Sequence, residues 1–204
     1  MTALFENKNL GIGSAVLTFF SVLAFAVCMV FGADNGSFIS SLFISWGFVA
    51  LICAYAVYSP KEKRAAAFLA VSFAIIYAVL IALVYFAQLT AVRMSELSEQ
   101  AALLLDYSKF GLFFSYDLLG YAFMSLATFF TAQTLELKDR ADKWLKGLLA
   151  VHGVFAITCF IMPMLGLFTP DMAGGDLIGT LVLEFWCLYF MPVCILSYQY
   201  FKRK

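Results

Sequence analysis

The 204-residue chain is 64% hydrophobic and only 13% charged, with a formal net charge of zero. A soluble globular domain is about 45–50% apolar, so this chain has too few polar residues to cover a water-soluble fold. The balanced charge, without an arginine-rich face, also lacks the electrostatic surface that nucleic-acid binding requires. The apolar residues occur in runs of about 20, the length with which an α-helix crosses the hydrocarbon of a bilayer.

The sequence predicts an all-α polytopic membrane protein, with residues 1–204 forming a single transmembrane domain. Glycine, proline and charged turns separate the apolar runs. Short connections predict that the six transmembrane helices pair as three antiparallel hairpins of one bundle. Pro163 and Pro192 predict kinks in the fifth and sixth helices. The predicted spans are 11–31, 39–58, 66–90, 112–134, 145–168 and 181–201, with a glycine-rich connection at 169–176.

The longest polar interval, residues 91–111, separates the third and fourth spans. Ser95 is placed to cap a short helix with Glu96 and Glu99 in its first turn, where acidic side chains suit the helix dipole. One side of this helix would carry Leu97, Ala101, Leu104 and Ser108. The pattern predicts a short amphipathic helix that lies at the membrane interface.

Basic residues predict the orientation. If the N-terminus, the 59–65 turn, the 135–146 turn and the C-terminus lie on one side, only Arg93 and Lys109 of the thirteen Lys and Arg residues lie opposite. Positive charge accumulates on cytoplasmic loops, so both termini are predicted to be cytoplasmic. The terminal residues Lys202, Arg203 and Lys204 are interpreted as a membrane-edge anchor.

Two acidic residues lie inside predicted spans, Asp117 in the fourth and Glu184 in the sixth. A charge at the bilayer centre costs about 2.5–3.5 kcal/mol on insertion scales, so both residues require an explanation. Asp117, Tyr121, Ser125 and Thr128 recur at helical spacing, which predicts an inward-facing polar stripe. The sequence therefore predicts an outward-opening cleft among spans three, four and six, covered by the 91–111 helix. Its candidate ligand-binding residues are Gln88, Arg93, Asp117, Tyr121 and Glu184.

A structural alternative explains the same charges, because Arg93 could neutralise Asp117 or Glu184 in an ion pair. His152 is the only histidine, and a hydrogen-bonded packing residue is favoured over a proton relay because no second titratable group is apparent at its depth. The three tryptophans are interpreted as lipid-facing or interfacial. No metal, cofactor or catalytic motif is recognisable, so no catalytic residue, metal ligand or cofactor is predicted.

Two segments, residues 85–93 (YFAQLTAVR) and 117–128 (DLLGYAFMSLAT), resemble the best-marked segments of small bacterial membrane proteins of unknown function near the DUF4386-like family. The similarity spans roughly residues 60 to 165. The polar positions that match are Gln88, Thr90, Arg93, Asp117 and Tyr121. The resemblance implies a bacterial plasma-membrane protein and implies no activity.

Three functional hypotheses follow. The first is a site for a small-molecule or lipid-like ligand, for sensing or transport, in the cleft around Arg93, Asp117 and Glu184. The second is a membrane scaffold or accessory subunit, whose small and polar helix faces contact a protein partner or a second copy of the chain. The third, ranked below both, is an enzyme that uses Asp117 or Glu184 as acid or base. Membrane lipids are the expected surroundings in every case.

Overall fold

The computed structural model of the protein describes residues 2–94, 96–166, 168 and 175–204. These residues are helical or irregular, with no strand among them. Six helical segments in this part of the chain are long and apolar enough to cross a membrane, as predicted. They are Glu6–Val30, Asp34–Val57, Lys61–Val92, Leu112–Thr134, Arg140–Met164 and Leu177–Lys202. The predicted connection at 169–174 lies outside the described residues.

Eight α-helices are numbered here in chain order. The first four are α1 (Thr2–Val30), α2 (Asp34–Val57), α3 (Arg64–Ala87) and α4 (Glu99–Leu105). The others are α5 (Leu112–Thr134), α6 (Arg140–His152), α7 (Val154–Met164) and α8 (Gly175–Lys202). A wider π-helical turn, Gln88–Val92, continues α3, and short 3-10 turns occur at Lys61–Lys63 and Tyr107–Lys109. The helices extend beyond the predicted spans because hydropathy marks only the residues within hydrocarbon, whereas polar residues continue a helix into the interface.

The fifth span consists of two helices, α6 and α7, which meet at Gly153. A Cβ atom on Gly153 would lie 3.0 Å from the Phe129 side chain of α5, so glycine allows the close approach at this point. The span is therefore interrupted at Gly153, whereas Pro163 lies in the last turn of α7. The sixth span, α8, continues as a helix through Pro192.

The helices pack as a ring in chain order. Helix α1 packs against α2, α2 against α3, and α3 against α5. Helix α5 also packs against α6 and α7, and α8 closes the ring by packing against α6 and α1. Large aromatic side chains fill the centre of this ring. The Phe48 ring lies 5.4 Å from that of Tyr77 and 6.2 Å from that of Phe190, measured between centroids, and all three are fully buried.

The interface between α1 and α2 is lined by small polar residues. Each is buried and donates its hydroxyl hydrogen to a backbone carbonyl of its own helix, which satisfies the hydroxyl without a partner from another helix. These residues are Ser14, Thr18, Ser21, Ser37, Ser41 and Ser45. The two helices can therefore pack closely.

The basic segments of the chain meet at one end of the bundle, called the basic end here. Lys8 Nζ donates a hydrogen bond of 2.9 Å to the Lys202 carbonyl, which joins the start of α1 to the end of α8. Lys63 Nζ donates one of 3.4 Å to the Leu135 carbonyl, which joins the α2–α3 turn to the end of α5. The chain therefore alternates between two ends, as six consecutive spans require.

Arg203 is held in an ionic cluster at the basic end. Its guanidinium pairs with Asp142 and lies 3.3 Å from Asp139 Oδ2. Asp142 is only 1% exposed and also accepts a hydrogen bond of 2.9 Å from the Lys138 amide. Arg203 therefore fastens the end of α8 to the α5–α6 connection, and its interpretation as a membrane-edge anchor stays a prediction.

Lys204 has a weaker contact with the same connection. Its Nζ atom lies 4.0 Å from Glu136 Oε2 and 4.7 Å from the centroid of the Tyr200 ring. Partial burial, together with nearby Lys138, lowers the pKa of the Lys204 ammonium, although Glu136 opposes this shift.

We expect Asp142→Asn to lower the free energy of unfolding by about 2 kcal/mol, because it removes the countercharge of a partly buried guanidinium. Asparagine keeps an oxygen that can accept the Lys138 amide hydrogen, so the change isolates the ion pair. The midpoint of denaturant unfolding in detergent micelles measures the effect. The control is Lys143→Gln, which removes an exposed charge one residue away. An equal midpoint in the two variants would contradict the role given to Arg203.

Candidate ligand site

The polar stripe predicted on the fourth span lies on the inner face of α5. Asp117 is 2% exposed, and Tyr121, Ser125 and Thr128 are also buried. Ser125 Oγ donates to the Tyr121 carbonyl at 2.8 Å, and Thr128 Oγ1 donates to the Ser125 carbonyl at 2.8 Å. The Ser125 and Thr128 hydroxyls are therefore satisfied within α5, but the carboxyl of Asp117 needs partners from other parts of the chain.

One tyrosine hydroxyl reaches the Asp117 carboxyl, and a second tyrosine packs beside it. The Tyr107 hydroxyl donates a long hydrogen bond of 3.4 Å to Oδ2, and the Tyr85 ring lies 6.1 Å from the Tyr107 ring. Burial and the proximity of Asp117 raise the pKa of Tyr107 well above its usual value, so this hydroxyl keeps its proton and remains a donor. No salt bridge to Asp117 occurs among the described residues.

Three buried side-chain polar atoms have no hydrogen-bond partner in the described chain: Tyr77 OH, Asp117 Oδ1 and Glu184 Oε1. They belong to α3, α5 and α8, which are the three spans predicted to form the cleft. Buried polar groups are paired in the great majority of cases, and an unpaired one costs about 1–3 kcal/mol. These three atoms are therefore candidates for contact with a bound polar group.

Glu184 lies on α8 two residues before Trp186, whose ring is 5.6 Å from that of Tyr121. Tyr121 follows Asp117 by one turn of α5, and its ring lies 5.9 Å from that of Tyr77. Glu184 is only half-buried, so it lies at the margin of this group of polar side chains.

The segment 96–111, called the lid segment here, covers Asp117. Its helix α4 begins after Ser98, whose hydroxyl accepts a hydrogen bond of 3.3 Å from the Ala101 amide. The predicted cap, Ser95, lies outside the described residues, and Glu96 precedes the helix. The helix ends at Leu105, so Ser108 does not extend its predicted apolar side. The following turn points the Tyr107 hydroxyl toward Asp117.

Gln88 holds the lid segment in place through both ends of its amide. Its Nε2 donates to the Leu105 carbonyl at 2.7 Å, and its Oε1 accepts a hydrogen bond of 3.1 Å from the Tyr107 amide. Gln88 is buried at the start of the π-helical turn, where the helical ladder widens. π-Helical turns inside α-helices occur frequently at functional sites.

The return of the lid segment to α5 depends on Gly111. A Cβ atom at Gly111 would lie 1.8 Å from the Leu103 carbonyl oxygen, so no other residue fits this backbone path. The preceding residue, Phe110, has a left-handed conformation with a φ of 52°. Its ring packs 4.7 Å from that of Phe114, which also contacts the Phe168 ring. These contacts close the bundle above Asp117.

The predicted site residues are only partly brought together. Gln88, Asp117 and Tyr121 belong to the same buried group. Arg93 is exposed and forms no salt bridge with Asp117 or Glu184 among the residues that the structure describes, so the ion-pair alternative is wrong. Within the part of the chain that the structure describes, Asp117 is only 2% exposed and Tyr107 covers it, so no open cleft reaches its carboxyl there.

A second polar group lies deeper in the bundle, around His152. Trp186 Nε1 donates to His152 Nε2 at 3.0 Å, and His152 Nδ1 lies 2.9 Å from Thr128 Oγ1. Because an indole N–H is only a donor, His152 must accept at Nε2 and carry its proton at Nδ1. This agrees with the prediction of a hydrogen-bonded packing residue.

Trp186 itself was missed by sequence reasoning, which placed all three tryptophans against lipid. It is buried, and its ring lies 5.6 Å from that of Tyr121. No local pattern marked its burial, because the donor that His152 Nε2 needs comes from another helix.

The chain matches no protein-family model, and comparisons with curated proteins and with solved structures found no significant similarity. The resemblance to the DUF4386-like family therefore stays a prediction.

We expect Gln88→Leu to loosen the lid segment, because two hydrogen bonds worth about 0.5–1.5 kcal/mol each are lost. Hydrogen exchange of the backbone amides between Ala102 and Phe110, followed by mass spectrometry, should become about tenfold faster or more. The control is Thr90→Val, which removes a hydroxyl that bonds only the Phe86 carbonyl of the same helical segment. Unchanged exchange in Gln88→Leu would mean that Gln88 does not hold this segment.

Proposed function

We propose that the protein is a multi-pass protein of the bacterial plasma membrane that binds a small ligand among α3, α5 and α8, for sensing or transport. The observation that carries the proposal is the set of three buried, unpartnered polar atoms on these helices, Tyr77 OH, Asp117 Oδ1 and Glu184 Oε1. A ligand with its own polar groups would satisfy them and would recover the free energy that their burial costs.

The lid segment supplies a route for such a ligand. Only side-chain contacts hold Tyr107 over Asp117, and the π-helical turn next to Gln88 lies at the same point. Opening the segment would expose the carboxyl from one end of the bundle. The ligand would therefore enter from the end opposite the basic end, and the six spans would keep the arrangement of three antiparallel hairpins, with α4 at the membrane interface.

The competing hypotheses have less support. A scaffold that binds a partner through small and polar helix faces needs those faces to be free, but in α1 and α2 they are buried against each other. The lipid-facing side of α7 carries large apolar residues, which lipid tails solvate as well as a partner would.

A thermal-stability panel tests ligand binding. The purified chain in detergent is heated with small amines, carboxylic acids, polyols and lipids in separate samples. At least one class should raise the Tm of the wild type but not that of Asp117→Asn, because binding to the native state stabilises it by mass action. The control is Lys109→Gln, an exposed residue of the lid segment that should respond like the wild type. If no class distinguishes wild type from Asp117→Asn, the proposed site is wrong.

The proposed orientation places the basic end in the cytoplasm, because positive charge is retained on that side. We expect a membrane-impermeant maleimide to label Lys109→Cys on intact cells and Lys143→Cys only after permeabilisation. Both positions are exposed and lie at opposite ends of the bundle. The wild type, whose five cysteines lie within helices, gives the background. The reverse labelling pattern would invert the topology.

A further inference from the structure

We infer that the ligand is a small organic cation with an N–H donor, such as a protonated amine. This inference rests on the proposed site at Asp117 and names the chemical class that fits it. Three features carry it: the charge of the buried group, the aromatic rings around it and the hydrogen-bonding capacity of its unpaired atoms.

The charge of the group is one-sided. It contains two carboxyl groups, Asp117 and Glu184, and no lysine or arginine side chain pairs with either among the described residues. At this end of the bundle, the basic residues Arg93 and Lys109 are both exposed. His152 has both ring nitrogens engaged, with Trp186 and Thr128. An anionic ligand would therefore meet buried acidic groups without a countercharge, whereas a cation would supply the missing one.

Aromatic rings surround the same carboxyl. The Tyr85 and Tyr107 rings lie 6.1 Å apart at an interplanar angle of 33°, and the Tyr107 hydroxyl is directed to Asp117. On the other side, the Tyr121 ring lies 5.9 Å from Tyr77 and 5.6 Å from Trp186. The faces of such rings attract organic cations, most strongly where water is excluded. The Asp117 carboxylate provides the negative charge and the neighbouring rings provide the aromatic surface. These are the two elements of a site that binds an ammonium group.

The unpaired atoms specify the kind of cation. Asp117 Oδ1 and Glu184 Oε1 accept hydrogen bonds, so a cation that carries N–H groups satisfies them, whereas a quaternary ammonium cannot. The Tyr77 hydroxyl is both a donor and an acceptor, and it can pair with a further polar group of the ligand or with a second N–H. The rings already pack against one another, so the ligand must take the place of the Tyr107 side chain. The ligand is therefore small.

Four solutes with related skeletons test this inference by calorimetric titration of the full chain in detergent. They are propylammonium, propionate, propanol and tetramethylammonium, with sodium chloride matched in every sample. Propylammonium should bind the wild type more tightly than the other three. Asp117→Asn should weaken its binding about tenfold or more, as expected when a charge-assisted hydrogen bond is lost. Lys109→Gln should bind as the wild type does.

Tyr77→Phe keeps the carboxyl and removes one unpaired hydroxyl, so it tests the site even if Asp117→Asn does not fold. It should bind propylammonium more weakly than the wild type, by a smaller factor than Asp117→Asn. Equal binding of propylammonium to wild type, Asp117→Asn and Tyr77→Phe would overturn the inference, because the amine would then bind elsewhere. Binding of propionate or propanol that Asp117→Asn abolishes would overturn the cation class but leave the ligand site intact. If none of the four solutes distinguishes the variants, the inference is wrong. The thermal-stability panel described above then tests separately whether Asp117 binds any ligand.

Discussion

The absence of water from hydrocarbon is the constraint on which the whole structure depends. Every backbone amide and carbonyl within a span must find its partner inside the protein, which only helices achieve within a single segment. The same requirement extends to side chains. Ser14, Thr18, Ser21, Ser125 and Thr128 return their hydroxyl hydrogens to carbonyls of their own helix. Their neighbours can then pack closely, without polar atoms left over between helices.

Three residues depart from this pattern of hydrogen bonding within the protein. Tyr77, Asp117 and Glu184 each bury one polar atom without a partner among the described residues, and all three lie on the wall of one region. Natural sequences break local rules mainly at functional sites.

The fold was predictable to the level of six spans and their alternation, because hydropathy and turn residues encode both directly. The exact helix ends were not, since hydropathy does not register helical residues outside hydrocarbon, such as those that begin α1 before residue 11. The break at Gly153 was not predictable either. It depends on the approach of Phe129 from another helix, which no local pattern contains.

The site was predictable in part. Each error concerns a side-chain direction that depends on contacts or backbone geometry outside the local sequence pattern. The spacing of Asp117 and Tyr121 on α5 gave their inward direction, and Gln88 followed from its depth. Depth alone could not decide whether Arg93 turns inward, because the π-helical turn after Gln88 alters the direction of the residues beyond it. In the same way Trp186 carries no sign of burial in its own sequence. Its position depends on the histidine that it meets across the ring.

The closure of the ring by α8 has a consequence for biosynthesis. The ribosome delivers α8 after the other five spans, so until then α1 and α6 have no common neighbour and the His152 ring has no indole donor. Before α8 is synthesised, the facing sides of α1 and α6 and the His152 ring must therefore contact the translocon or lipid. Arrival of α8 then supplies the Phe190 ring that packs against Phe48, the donor to His152 and the arginine that ties down the α5–α6 connection, all in one step.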